Sequence, residues 1–294
     1  MSAKQLDFVA VGPFKTGTSW IYNYLINYQQ IALPTKVKET FFFDNDEKFE
    51  RGLDWYYSHF TQIKLEQKIG EIAPSYFHSM EAPIRIHQHN PQCKIVVTLR
   101  EPISRLVSFY RHKKQRGEIE PKTSLSQAIS QKKSLYSSAL YYFHLSRWID
   151  IFGADNVRVI FFENLVESPI DFARELCDKL ETNLEDSSQD LSQKVNASQV
   201  PISYSVSKMV YRSVNTLHDF GLHKLVEHGK NLGIKQLLNR KKVMNLQLDT
   251  SEYIYAFNLL KRDIMLLETD LNFDLSNWKT LWIKKGIKLN EFDL

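Results

Sequence analysis

Cysteine is nearly absent. The 294 residues hold two, Cys93 and Cys177, far apart and without metal-ligand spacing. Two such thiols read as reduced and structural, which excludes a disulfide framework. Neither C-x-x-C nor H-E-x-x-H occurs, so no protein-bound zinc or other metal is expected. No run approaches the ~20 consecutive apolar residues of a membrane span. With Met1 read as the true start, MSAKQLDFVAVG enters a strand-like run at once. That leaves no room for a signal peptide and points to the cytoplasm. Charge of one sign is also scarce: a net +4 is too small to argue for nucleic acid, though it suits a local basic pocket for an anion. Internal repeats and low-complexity linkers are missing as well.

What is present is an alternation of short apolar runs and helical periods. Phe8–Val11 is a continuous apolar run ended by Gly12 and Pro13, the pattern of a strand buried on both faces. From Thr18 to Tyr28, Trp20, Ile21, Tyr24, Leu25 and Tyr28 recur at helical spacing. Lys94–Leu99 (KIVVTL) and Val157–Phe162 (VRVIFF) read as further strands, with a short one at Gly70–Ile72. Ile103–Lys114 and Asp171–Leu180 read as helices. The expected fold is α/β, a mostly parallel central sheet flanked by helices. From Tyr204 to Asn272 only helical periods are found and no good strand. One domain over 1–294 is expected, with its core at about 6–205 and a helical C-terminal region at about 206–294. Within that region Leu222–Lys242 carries six Lys/Arg against one Glu. It reads either as a solvated helical face or as a basic lid over an anionic ligand.

The junction after the first strand reads Gly12-Pro13-Phe14-Lys15-Thr16-Gly17-Thr18-Ser19. A strand end feeding a helix start presents free backbone N–H groups, and the helix dipole adds positive potential there. In a nucleoside-triphosphate loop, G-x-x-x-x-G-K-[ST], the lysine follows the second glycine. Here Lys15 precedes Gly17, and hydroxyl residues follow it. No acidic residue ends an apolar strand to hold magnesium; KIVVTL runs into Arg100. Lys15, Thr16, Gly17, Thr18 and Ser19 are therefore candidates for binding a phosphate that needs no metal. In TLREPISRLVSFYRH, Arg100 stands at the C-terminal end of a parallel strand, where open α/β sheets bind ligands. Ser108 lies two helical turns in, beside Arg105 and Arg111 on a basic face. Arg100 and Ser108 make a second candidate phosphate site. A phosphate-loop kinase or hydrolase, and a binding protein without turnover, remain as alternatives.

These residues resemble a known family. GPFKTGTSW is similar to the 5′-phosphosulfate loop of sulfotransferases that use 3′-phosphoadenosine 5′-phosphosulfate (PAPS), and LREPISRLVSFY to their 3′-phosphate segment. KETFFFD (38–44), RGLDWYYSHF (51–60) and GEIAPSYF (70–77) are similar to segments of the heparan sulfate and bacterial carbohydrate branch. FFENLVESP (161–169) and KVNASQVP (194–201) fit the same superfamily.

The resemblance implies a P-loop-type fold, PAPS as donor, 3′-phosphoadenosine 5′-phosphate (PAP) as product, no metal, and a hydroxylated acceptor, most readily a glycan. It implies that Glu39, in a K-E-x-x-F-F segment, is the base, with Lys15 steadying charge at the leaving oxygen. Glu71 is the competing base. Lys194 and Asn196 fall in a segment resembling the late donor-binding loop. One departure stands out: where the heparan sulfate enzymes carry lysine in E-K-[ST]-P-x-Y-F, this chain has Ile72. Aromatics cluster at Phe41–Phe43, Trp55–Tyr57, Tyr76–Phe77 and Tyr141–Phe143, where some could stack on sugar rings and most are expected in the core. Oligomeric state is left open by the sequence.

Overall fold

A computed structural model describes residues 5–184, 199–201, 204–219, 239–243 and 248–289. Lys194 and Asn196 lie outside the described residues, as do 222–238 of the basic stretch. The chain divides into two compact units. One comprises Met1–Pro102, Ser138–Val195 and Asp263–Phe273; the other comprises Ile103–Ser137, Asn196–Arg262 and Asp274–Leu294.

The first unit holds the central sheet. Strands β1 (Phe8–Val11), β2 (Ile31–Ala32), β3 (Lys68–Ile72), β4 (Lys94–Leu99) and β5 (Val157–Phe161) lie in the order β2-β3-β1-β4-β5. Every pairing among them is parallel. The four residues of β1 are all buried, as the unbroken apolar run requires of a strand covered on both faces. One face packs with the helix Thr18–Leu25 and the helix Pro169–Lys179, through Trp20, Ile21, Phe172 and Leu176. The sequence order reverses at β1, which sits between β3 and β4. Because these strands are parallel, β3, β1 and β4 end on the same C-terminal side of the sheet, at the kind of switch point where such sheets bind ligands.

Gly70 shows how tightly this sheet is built. A Cβ there would lie 2.1 Å from the tip of the Phe8 ring, which is itself 1% exposed and has nowhere to go. We expect Gly70→Ala to overpack this contact and cost about 1–3 kcal/mol. A thermal melt checks it: a variant with the wild-type midpoint would mean that Phe8 repacks freely.

The helix Tyr141–Phe152 has no side-chain cap from its own N-cap residue. Its first amides are met instead by Asp263, whose carboxylate accepts from the Tyr142 N–H at 3.0 Å and the Phe143 N–H at 3.1 Å.

The second unit is not purely helical, contrary to the sequence expectation. It contains the antiparallel pair β6 (Gln199–Pro201) and β7 (Asn239–Val243). β7, NRKKV, has no apolar alternation to announce it, so only its pairing with β6 makes it a strand. The helix Pro102–Gln115 runs into this unit. It is tied down there by Lys114 Nζ donating to the Pro121 carbonyl at 2.8 Å and by the Tyr110 hydroxyl donating to the Thr123 carbonyl. Among the described residues no helix is long and apolar enough to cross a membrane.

Candidate active site

The loop leaving β1 is held open by three left-handed residues: Gly12 (φ 144), Lys15 (φ 82) and Gly17 (φ 92). Gly12 is obligatory twice over, since a Cβ would also stand 2.4 Å from the Thr98 carbonyl oxygen. Thr16 is fully buried. Its hydroxyl lies 2.9 Å from the Pro13 carbonyl, to which it donates, and 2.7 Å from Thr98 Oγ1. It braces the loop from inside, and what it offers a ligand is backbone. The helix beginning at Thr18 has Gly17 as its N-cap and no side chain capping it. The positive end of the helix favours an anion there, and Ser19, in its first turn, is half-buried.

Arg100 follows β4 directly and joins this loop. Its Nη1 donates to the Lys15 carbonyl at 3.3 Å, and its guanidinium lies 4.7 Å from the Phe162 ring centroid. Burial lowers the Arg100 pKa, opposed by the nearby Glu163 carboxylate. The backbone beside it is fixed as well. The Tyr141 hydroxyl donates to the Arg100 carbonyl at 3.0 Å, and the Glu101 N–H donates to Glu163 Oε1 at 2.9 Å. Phe162 also limits Gly17, where a Cβ would meet its ring at 3.1 Å. One aromatic ring thus packs under both the loop glycine and the arginine. Phe162, Glu163 and Thr98 are site residues that sequence reasoning missed, FFENL being visible only as a resemblance; Tyr141 stands out in the sequence only as one of an aromatic cluster.

Ser108 is half-buried on the helix Pro102–Gln115, in the second unit. Arg105, expected with it on a basic helix face, is 0% exposed, its guanidinium 5.7 Å from the Phe109 ring centroid. The face expected around Ser108 therefore lacks that charge at its surface.

Glu39 is largely buried, its side chain 17% exposed, and Oε1 pairs with Lys38 Nζ at 2.9 Å. The next residue, Thr40, is held by the competing carboxylate. Glu71 Oε1 accepts from the Thr40 N–H at 2.7 Å and from its hydroxyl at 2.8 Å, while Oε2 accepts from the Tyr56 and Tyr76 hydroxyls at 3.1 and 3.0 Å. Burial pushes the Glu71 carboxyl up to about 7, against the pull of those hydrogen bonds. Asp44 is a further acid nearby. Burial raises its pKa and the charge of Glu39 adds to the rise, while Ser75 and Lys48 oppose it.

Ile72, at the position of the family lysine, is fully buried in the core with Phe8, Ala10 and Trp20. Of the clustered aromatics, Phe42, Phe43, Tyr56, Tyr57, Tyr76, Phe77 and Tyr141 are core. Phe41 and Phe143 are exposed, at 38% and 51%. Phe41 adopts φ 56 and has Lys48 Nζ 4.8 Å from its ring centroid, one residue beyond Thr40.

The sulfotransferase domain model matches residues 5–214. The chain is 30% identical over 197 residues to a bifunctional heparan sulfate N-deacetylase/N-sulfotransferase of Drosophila melanogaster, covering 58% of this chain and 19% of that protein. It is 27% identical over 180 residues to human heparan sulfate glucosamine 3-O-sulfotransferase 5, covering 55% and 49%. The chain thus spans less than half the length of either relative. A crystal structure of a sulfotransferase from Alicyclobacillus acidocaldarius has the same fold, with a TM-score of 0.60 at 22% identity, covering 94% of this chain and 100% of that one. The domain match takes in both the loop after β1 and the Arg100 junction, and the chain belongs to the sulfotransferase family.

Proposed function

We propose that this chain transfers a sulfonate group from PAPS to a hydroxyl of a carbohydrate acceptor. The observation that carries the reading is the joining of Arg100 to the Lys15 carbonyl beside an uncapped helix start. That arrangement sets a guanidinium beside the positive end of a helix, where a nucleotide phosphate fits. Lys15, Gly17, Thr18 and Ser19, with the backbone of Thr16, hold the 5′-phosphate. Arg100 is assigned to the 3′-phosphate, and Ser108 carries the same assignment by resemblance alone. Lys194 and Asn196 belong to the same donor assignment by resemblance.

In the transfer, Glu39 accepts the proton of the acceptor hydroxyl as its oxygen bonds to sulfur. The bond from sulfur to the 5′-phosphate oxygen breaks, and the departing PAP carries the electron pair. Lys15 stabilises charge at that oxygen. Lys38, already on Glu39, supplies a cation beside the base, whereas Ile72, buried in the core, supplies none. The exposed Phe41 ring and Lys48 beside Glu39 suit a sugar bearing acidic groups, which agrees with the glycan-modifying relatives.

Calorimetry of PAP in a chelator, with AMP and ATP as controls, tests the donor site. PAP should bind more tightly than AMP by at least ~10-fold, the worth of one charge-assisted phosphate contact. Equal affinities would remove the two-phosphate site and the function with it. A requirement for magnesium, with ATP preferred, would favour a phosphoryl-transfer enzyme instead.

A further inference from the structure

Glu71 takes no part in the transfer described above, yet it is fully buried with both oxygens engaged. Its four hydrogen bonds come from Thr40, twice, and from Tyr56 and Tyr76. The Tyr76 hydroxyl in turn accepts from the Phe42 and Phe43 amides at 3.1 and 3.3 Å. The segment following Glu39 is thereby fastened to β3 and to the turn Pro74–His78 that follows it. β3 itself pairs with β1, Glu71 opposite Val9, two residues before the strand ends in the phosphate loop. Phe41 sits inside this fastened segment in the left-handed region, a conformation that persists for a phenylalanine only where surrounding bonds impose it.

We propose that Glu71 is a positioning residue: through Thr40 it sets the backbone that carries Glu39, and it does so as a hydrogen-bond acceptor, neither as a base nor as a charge. The inference rests on the reading of Glu39 as the base. Complete burial keeps Glu71 from meeting an acceptor hydroxyl directly. The titratable groups facing it are the Tyr56 and Tyr76 hydroxyls, both pushed well above their ordinary range by burial, with the Asp44 carboxyl beside Tyr76. With its own carboxyl near 7, Glu71 changes protonation close to neutrality, so a fastening that depended on its charge would fail there. Glutamine fits the same role. Its carbonyl oxygen accepts both Thr40 bonds, the ones that set the Glu39 backbone; the Tyr76 hydrogen turns from the amide to Thr40 Oγ1, 3.1 Å away, and only the Tyr56 bond is given up.

The test compares Glu71→Ala and Glu71→Gln by three measurements: hydrogen exchange of the Thr40 amide, PAP affinity by calorimetry, and transfer from labelled PAPS to heparan sulfate. Glu71→Ala should speed Thr40 exchange by ~10-fold or more, the worth of a buried hydrogen bond to a carboxyl. It should lower kcat by ~10²-fold, as misplacing a reacting group by an ångström does, with PAP affinity intact. Glu71→Gln should restore both exchange protection and kcat to within ~5-fold of wild type, because no transition-state contact is lost. A glutamine variant as slow as the alanine variant overturns the proposal in favour of charge or base catalysis. Unchanged Thr40 exchange in Glu71→Ala overturns it outright. If the alanine variant does not fold, Thr40→Val removes one of the two pins and should give a smaller loss of the same kind; wild-type kcat and exchange in that variant overturn the proposal. If the wild type transfers nothing to heparan sulfate, the acceptor reading fails separately, and the exchange data still decide whether Glu71 holds Thr40.

Discussion

Glu39→Gln lowers kcat by ~10²–10⁴-fold, the usual worth of a positioned base, while PAP affinity stays within about twofold. Glutamine keeps the length of the side chain and one oxygen that can accept from Lys38. It cannot take up the proton that the acceptor hydroxyl must lose. Single-turnover transfer from labelled PAPS, set beside PAP calorimetry on the same variant, separates the two quantities. If both fall together, Glu39 shapes the pocket and the base lies elsewhere. Asp44 would then be the first group to replace, because it shares the Glu39 field and its carboxyl is already raised by burial. Lys38→Ala gives a second view. The lysine is bound to Glu39 at 2.9 Å, but it is not a proton acceptor, so its loss should slow transfer less than Glu39→Gln does. The reverse ranking would make the ion pair, and not the carboxylate as base, the functional element.

The strands that build the donor side are readable in the sequence because they are buried on both faces. FVAV and KIVVTL carry no polar alternation, and each ends in the residues that matter, Gly12 and Arg100. β2 has two residues and no pattern to distinguish it from a loop; its pairing with β3 alone defines it. β7 is hidden by composition, since three of its five residues are basic. The same contrast holds within the site. Lys15 and Gly17 are legible from order along the chain, because a loop between strand and helix fixes what a phosphate would meet. The supports are not. Thr98 meets Thr16 across 82 residues, Glu163 meets the Glu101 amide across 62, and Thr40 meets Glu71 across 31. No local period encodes such contacts. Glu71 reads in the sequence as the competing base in a segment that looks like acceptor-side scaffolding; burial and four hydrogen bonds give it a structural character.

Arg100→Ala should weaken PAP binding by ~10–100-fold, the range for losing a charge-assisted bond to phosphate. The geometry gives this arginine two possible ways to act. Its guanidinium could hold the 3′-phosphate, or it could act on the 5′-phosphate loop through the Lys15 carbonyl. AMP, which lacks the 3′-phosphate, separates them. A 3′-phosphate contact makes PAP affinity fall while AMP affinity stays where it was. A pure brace makes both fall by the same factor, and would reassign the 3′-phosphate to Ser108 and its helix. Arg100→Lys sharpens the result. A lysine keeps the charge but has no planar face to lie on Phe162, 4.7 Å away, and no fork to reach the Lys15 carbonyl and a phosphate together. We therefore expect the lysine variant to lose most of what the alanine variant loses. Recovery of wild-type PAP affinity in Arg100→Lys would show that charge alone is what the site requires, and that the stacking on Phe162 is packing without consequence for the donor.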